Sequence, residues 1–247
     1  KVAFNNYLLT QTCSQSSLII YNSHTTLSVS RNITSLPNKG KESIVIYPPL
    51  TFVGNDFGHE DMDKIAIKNY DKRVNILIVT GATPSKNYLA VPLALIRLAP
   101  QLPQYSFLLN IVGIRPELLP SDIHNIAASN LTVTMYYQIP NKQLCELYLQ
   151  ADMFVSSSTQ EGFGIPLYDA LSFGIPCITS PLKVYKELIH SFIEKPVHDF
   201  SMGTRAIDFY TCIKDSIENG RYGSDATLAK LKSSYLSIRA VSYTHLT

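Results

Sequence analysis

Between about residues 70 and 180, short unbroken apolar runs alternate with segments whose apolar positions recur at helical spacing. The runs 75–80 (NILIVT), 106–112 (SFLLNIV), 131–135 (LTVTM), 153–156 (MFVS) and 177–180 (CITS) predict strands. Their predominantly apolar character fits strands covered on both faces, as in a parallel sheet. Residues 88–99, 117–129, 141–150 and 166–173 predict helices. In the third of these, Leu144, Leu147 and Tyr148 share a face, and Asn141 is placed as N-cap behind Pro140. Pro166 suits a first helical turn, where a missing N–H costs nothing. Repeated strand–helix alternation predicts a doubly wound α/β domain with a parallel sheet.

The flanks are less regular. Residues 17–21 (SLIIY) and 42–47 (ESIVIY) predict two further strands, and the polar stretch 55–72 a loop or linker. After Pro181 the pattern turns helical through 202–218 and again over 224–236. Lys1 stands where an initiating methionine would, and residues 240–247 continue no periodicity, so this tail is expected to be non-native.

Composition narrows the classes. Hydrophobic residues make up 45% of the 247, enough for a sizeable core, and no apolar run is long enough to span a bilayer. A net charge of +2 without a Lys/Arg block offers no electrostatic footprint for nucleic acid. Cys13, Cys145, Cys177 and Cys212 form no Cys-x-x-Cys pair; reduced thiols in a cytoplasmic protein are the expectation. The triplets Asn32-Ile-Thr34 and Asn130-Leu-Thr132 match glycosylation acceptors, a spacing common by chance.

In an open parallel sheet, ligands lie beyond the C-terminal ends of the strands, and two strand-to-helix turns there are unusual. After 153–156 comes a small polar loop, then Glu161, Gly162-Phe163-Gly164 and Ile165-Pro166 at the helix start. Glycines let backbone N–H groups approach a ligand, and a helix start adds free donors at its positive dipole end. Such a turn suits a diphosphate or sugar hydroxyls. Glu161 can accept from hydroxyls, and Asp169, one turn into the helix, can reach back over the same crevice. A third glycine is absent, since Leu167 stands where the dinucleotide-binding fingerprint requires one. The other turn is Thr80-Gly81-Ala82-Thr83-Pro84-Ser85-Lys86-Asn87, where Lys86 can set an ammonium near a phosphate.

The run EGFGIPLYDALSFGIPCITS resembles the Glu-x7-Glu signature of retaining GT-B glycosyltransferases over about twenty consecutive positions. The turn Pro84-Ser85-Lys86-Asn87 resembles the diphosphate-binding turn of the same family. Weaker likenesses extend the match from about residue 17 to residue 188 and place an interdomain crossing at Ser17–Thr25 followed by Ile44–Pro49, with His24 a surface histidine. The resemblance implies a Rossmann-like donor domain, the C-terminal half of a GT-B fold, at 51–239. It makes 1–50 a remnant of the acceptor domain plus the crossing, and 240–247 the tail.

By position, the resemblance implies that Glu161 contacts the donor sugar and that Gly81 and Lys86 attend the diphosphate. Gly162, Phe163, Gly164 and Ile165 present backbone to sugar hydroxyls, and Asp169 meets the ribose with one methylene less than the family's glutamate. Ala82 and Ser85 stand where the family often has a second cation. Glu161 and Lys86 are the expected catalytic pair, with no metal and no cofactor apart from a nucleoside-diphosphate sugar as donor. The implied partner is a saccharide or lipid-linked acceptor held by the other half, and the resemblance leaves open peripheral contact with the inner membrane face. Two other readings stay open: a non-catalytic nucleotide-sugar-binding module, suggested by Ala82, Ser85 and Asp169, and a sugar-nucleotide epimerase of the same fold.

Overall fold

The computed structural model describes residues 11–32, 42–52, 72–120, 130–192, 200–202 and 205–220. Six strands form one parallel sheet: β3 (Arg73–Val79), β4 (Ser106–Val112), β5 (Leu131–Tyr136), β6 (Met153–Ser156), β7 (Cys177–Thr179) and β8 (Phe200–Met202). Their spatial order is β5-β4-β3-β6-β7-β8. A separate parallel pair, β1 (Leu18–Tyr21) and β2 (Glu42–Val45), precedes it, with helix α1 (His24–Asn32) between the two strands in sequence.

The apolar runs of β3, β4, β6 and β7 are largely buried on both faces, whereas β5, at the sheet edge, buries only Leu131 fully. In β3, Ile76 and Ile78 belong to one core and Leu77 to the other; Met153 and Val155 of β6 oppose Phe154 in the same way. Helices α2 (Ala90–Leu98) and α6 (Ala206–Glu218) supply the first core, through Val91, Leu95, Phe209 and Ile213. The second core takes Tyr148 from α3 (Asn141–Gln150), Leu167 and Leu171 from α4 (Ile165–Ser172), and Val184 and Leu188 from α5 (Lys183–Phe192). Helices on both faces make the sheet doubly wound. The strand order reverses between β3 and β6, which makes the crevice at their C-terminal ends the topological switch point.

Several local expectations are corrected. Residues 202–218 are not one helix: Phe200–Met202 pairs with β7, and the helix opens at Ala206 behind a capping box of Arg205 and Asp208. Pro140, extended at φ −62° and ψ 152°, takes the N-cap position, leaving Asn141 as the first helical residue with no capping side chain. Asn87 adopts the left-handed region (φ 46°), which closes the single 3-10 turn Pro84–Lys86 and delays α2 to Ala90. Of the helix expected over 117–129, a 3-10 turn at Pro116–Leu118 is present, and 121–129 lie outside the described residues. The loop at 55–71, the helix at 224–236 and the tail 240–247 also lie outside them.

Asn130, the asparagine of one of the chance glycosylation triplets, has its amide nitrogen 2.8 to 3.2 Å from the carbonyls of Ala99, Leu102 and Tyr105. That amide is committed to the fold. Gly113, at φ 99°, follows β4, where a Cβ would stand 2.2 Å from the Thr80 carbonyl oxygen. Only glycine lets this turn pass so close to the root of the Lys86 turn. No helix among the described residues is long and apolar enough to cross a membrane.

Candidate functional site

The turns after β3 and β6 meet at the switch point and are stitched together by their own polar groups. Thr159 donates to the Ser85 carbonyl through its N–H (2.7 Å) and hydroxyl (3.1 Å). Ser157 Oγ donates toward the carbonyls of Lys86 (3.2 Å) and Asn87 (3.0 Å). These bonds bring together two residues 75 positions apart: Lys86 Nζ donates to Glu161 Oε1 at 2.6 Å. Gly81 stands beside open space, with nothing within 4 Å of where a Cβ would be.

The glycine turn is shaped by Gly164. It forms the N-cap of α4 in the left-handed region (φ 96°, ψ 51°), and its carbonyl accepts the N–H groups of Leu167 and Tyr168. The N–H groups of Phe163, Gly164 and Ile165 have no hydrogen-bond partner among the described residues. Three successive unpaired donors at a helix start form a cradle for an anion or for hydroxyl oxygens. Phe163 is buried, with its ring edge-on to Tyr47 and Tyr168 at centroid distances of 5.3 and 5.1 Å. The Ile165 side chain is exposed.

Two residues at this site escaped the sequence reading. Tyr185 of α5 is buried, shares a 2.6 Å hydrogen bond with Ser156 Oγ and donates to Glu161 Oε1 at 3.4 Å. Burial, and next the Glu161 charge, push its phenol pKa well up, so it acts there as a neutral donor. Glu187, two residues on, accepts from His24 N–H, Thr25 N–H, Thr25 Oγ1 and Tyr47 Oη at 2.6 to 2.7 Å. Its desolvation is outweighed by these donors, and its pKa falls below the ordinary glutamate value. No run or spacing marks either residue, because their partners lie far away in the chain. His24 begins α1 and meets the Tyr47 ring edge-on.

Asp169 is placed differently from the other site residues. It is buried, and its Oδ1 accepts the Thr51 N–H at 3.0 Å. Burial raises its pKa to about 6, with hydrogen bonds from Thr51 pulling the other way. A carboxyl whose folded pKa exceeds its unfolded value binds protons more tightly when folded. Its contribution to stability is therefore fullest below about pH 4 and is lost as pH rises through about 6. Asp169→Asn should remove that loss, so the variant gains up to about 3 kcal/mol relative to the parent between pH 4 and pH 8. Urea unfolding at both pH values checks this; an unchanged difference between the two proteins would place the carboxyl in water.

A parallel sheet wound on both faces defines a doubly wound α/β protein, here with a cation, a carboxylate and unpaired amides at its switch point. Residues 61–198, more than half of the chain, match the family described as Glycosyl transferases group 1, and the chain belongs to that family. No curated protein matches the sequence. Among solved structures, the chain is similar to the pneumococcal O-GlcNAc transferase GtfA in complex with UDP and GlcNAc. That likeness has 18% identity and a TM-score of 0.65, covering 96% of this chain and 44% of that one. WaaG, a glycosyltransferase of lipopolysaccharide biosynthesis, is 17% identical with a TM-score of 0.65, covering 96% and 62%. Anabaena HepE, solved with UDP and glucose, is 15% identical with a TM-score of 0.62, covering 98% and 66%. The chain thus spans less than two thirds of the length of each, and the likeness is one of GT-B fold. The metal-free expectation supposes that the chain has no Asp-x-Asp spacing; Asp61-Met62-Asp63 is one, and it lies outside the described residues.

Proposed function

We propose that this chain is the donor-binding half of a retaining glycosyltransferase that uses a nucleoside-diphosphate sugar. The observation that carries the reading is the convergence of Lys86 and Glu161 beside the unpaired amides of Phe163–Ile165 at the switch point. Breaking an anomeric C–O bond leaves negative charge on a departing diphosphate. That charge calls for preorganised donors, and the Lys86 ammonium and turn amides are of that kind. Glu161 is a carboxylate suited to a sugar hydroxyl; for Asp169 to meet the ribose, its buried carboxyl would have to leave the Thr51 N–H. UDP in GtfA and HepE supports a nucleotide donor here by analogy of fold.

Residues 1–50 belong, in this reading, to the crossing from the acceptor-holding half, and 51–239 to the donor domain. A saccharide or lipid-linked acceptor is assigned to that other half. Attack geometry and exclusion of water need both halves, so the 247-residue chain should bind donor yet transfer no sugar. Thermal shift with uridine, guanosine and adenosine diphosphates tests the binding. A nucleotide at a hundred times its Kd adds about 2.7 kcal/mol, which raises Tm by roughly 5–10 °C. No shift with any of the three would overturn the reading.

The binding-module reading draws on Ala82 and Ser85, which leave Lys86 as the cation of its turn. Donor hydrolysis by the chain joined to its acceptor half would exclude it.

A further inference from the structure

Helix α1 lies outside the donor sheet, yet its first turn is bonded to the glycine turn. Ser23 is its N-cap: Ser23 Oγ accepts the Thr26 N–H at 2.9 Å. Glu187 takes the two preceding amides, His24 N–H and Thr25 N–H, at 2.7 Å each. The first three donors of α1 are therefore all satisfied, two of them by a carboxylate from α5 at the favourable end of the helix dipole. Capped in this way, α1 presents a hydroxyl relay. Ser23 Oγ donates to Thr26 Oγ1 at 2.8 Å, and Thr26 Oγ1 donates to the Gly162 carbonyl at 2.9 Å; Ser23 Oγ itself lies 3.1 Å from the same carbonyl oxygen. Tyr47, held to Glu187 at 2.7 Å, lays its ring against Phe163. Glu187 thus organises two separate contacts onto one turn.

The peptide unit between Gly162 and Phe163 is planar and trans, so its carbonyl and N–H point in opposite directions. Holding the carbonyl on the α1 side fixes the opposite heading of the Phe163 N–H, the first of the three unpaired donors. We propose that Thr26 is a positioning residue for the donor cradle, acting through the Gly162 carbonyl, and that Glu187 holds Thr26 in place by capping α1. The consequence is that donor-sugar affinity depends on the crossing segment, through residues outside both glycine-turn and lysine-turn motifs.

The ligand arm of the test rests on the donor reading above; the motional arm does not. Thr26→Val keeps the shape of the side chain and removes its donor, while Thr26→Ser restores it. In the parent chain, 15N relaxation should give Phe163 and Gly164 order parameters near 0.85, falling below about 0.6 in Thr26→Val and in Glu187→Gln and recovering in Thr26→Ser. By calorimetry, Thr26→Val should weaken UDP-glucose or GDP-mannose binding about tenfold while UDP or GDP binding stays within about twofold. Order parameters that stay rigid in Thr26→Val would overturn the proposal, as would equal losses for nucleotide and sugar nucleotide. If the parent binds none of the four ligands, the donor reading falls, and the order parameters still decide whether Thr26 fixes the turn.

Discussion

Gly164→Ala is expected to lower the unfolding free energy by roughly 3 kcal/mol and to remove nucleotide-sugar binding. At φ 96° an L side chain pays about 1–2 kcal/mol for the left-handed backbone. The new Cβ would also stand 2.5 Å from Tyr185 Cε1 and 3.2 Å from Cδ1. Tyr185 has little room to yield, since it is buried and its hydroxyl is bonded to Ser156 and Glu161. Overpacking of this kind costs about 1–3 kcal/mol. Whatever relief occurs displaces Tyr185, and with it Glu161, or else turns the N–H groups of the cradle. Urea unfolding measures the first effect and calorimetry the second. In the double variant Gly164→Ala/Tyr185→Leu the clash is relieved but the backbone cost persists, so less is lost than the two single losses together. A Gly164→Ala protein within about 0.5 kcal/mol of the parent would mean that the turn adopts another conformation.

Gly164 also shows what the sequence could and could not reveal. That a glycine turn opens a helix after a buried strand was legible from residues 153–166, because an apolar run, two glycines and Pro166 each constrain the backbone locally. The parallel strands were legible for the same reason: β3 and β4 are apolar on both faces, and the structure buries both. β8 was not, because three residues carry no periodicity and only its pairing with β7 makes it a strand. Asn141 was misplaced by one position because Pro140 is already extended and ready to serve as N-cap. The motifs brought Lys86 and Glu161 to the same crevice, but the 2.6 Å contact, Tyr185 above it and Glu187 at α1 depend on tertiary approach. Asp169 reaching Thr51 is of that second kind too: its helix position was readable, its partner was not.

Lys86→Ala should weaken nucleoside-diphosphate binding by about 10- to 100-fold, the loss of one charge-assisted contact of roughly 1.5–3 kcal/mol. Lys86 already has a partner in Glu161, so the size and sign of the effect depend on which anion it prefers. Both side chains are partly exposed, and pairs of that kind contribute about 0–1 kcal/mol. A diphosphate carries more charge and more acceptor oxygens than one carboxylate, so it outcompetes Glu161 for the ammonium. Glu161→Gln removes the competitor, and nucleoside diphosphates should then bind a few-fold tighter. Transfer by the chain joined to its acceptor half should fall in the same variant, because a neutral amide replaces the carboxylate near the reacting sugar. If Glu161 acts on the diphosphate chiefly through Lys86, the double variant binds nearly as Lys86→Ala does, and the mutational energies are non-additive. Calorimetry on the four proteins at low and high salt supplies the cycle. Weaker diphosphate binding in Glu161→Gln would show that Glu161 assists the diphosphate instead of competing for Lys86. Unchanged affinity in Lys86→Ala would remove this lysine from the site altogether.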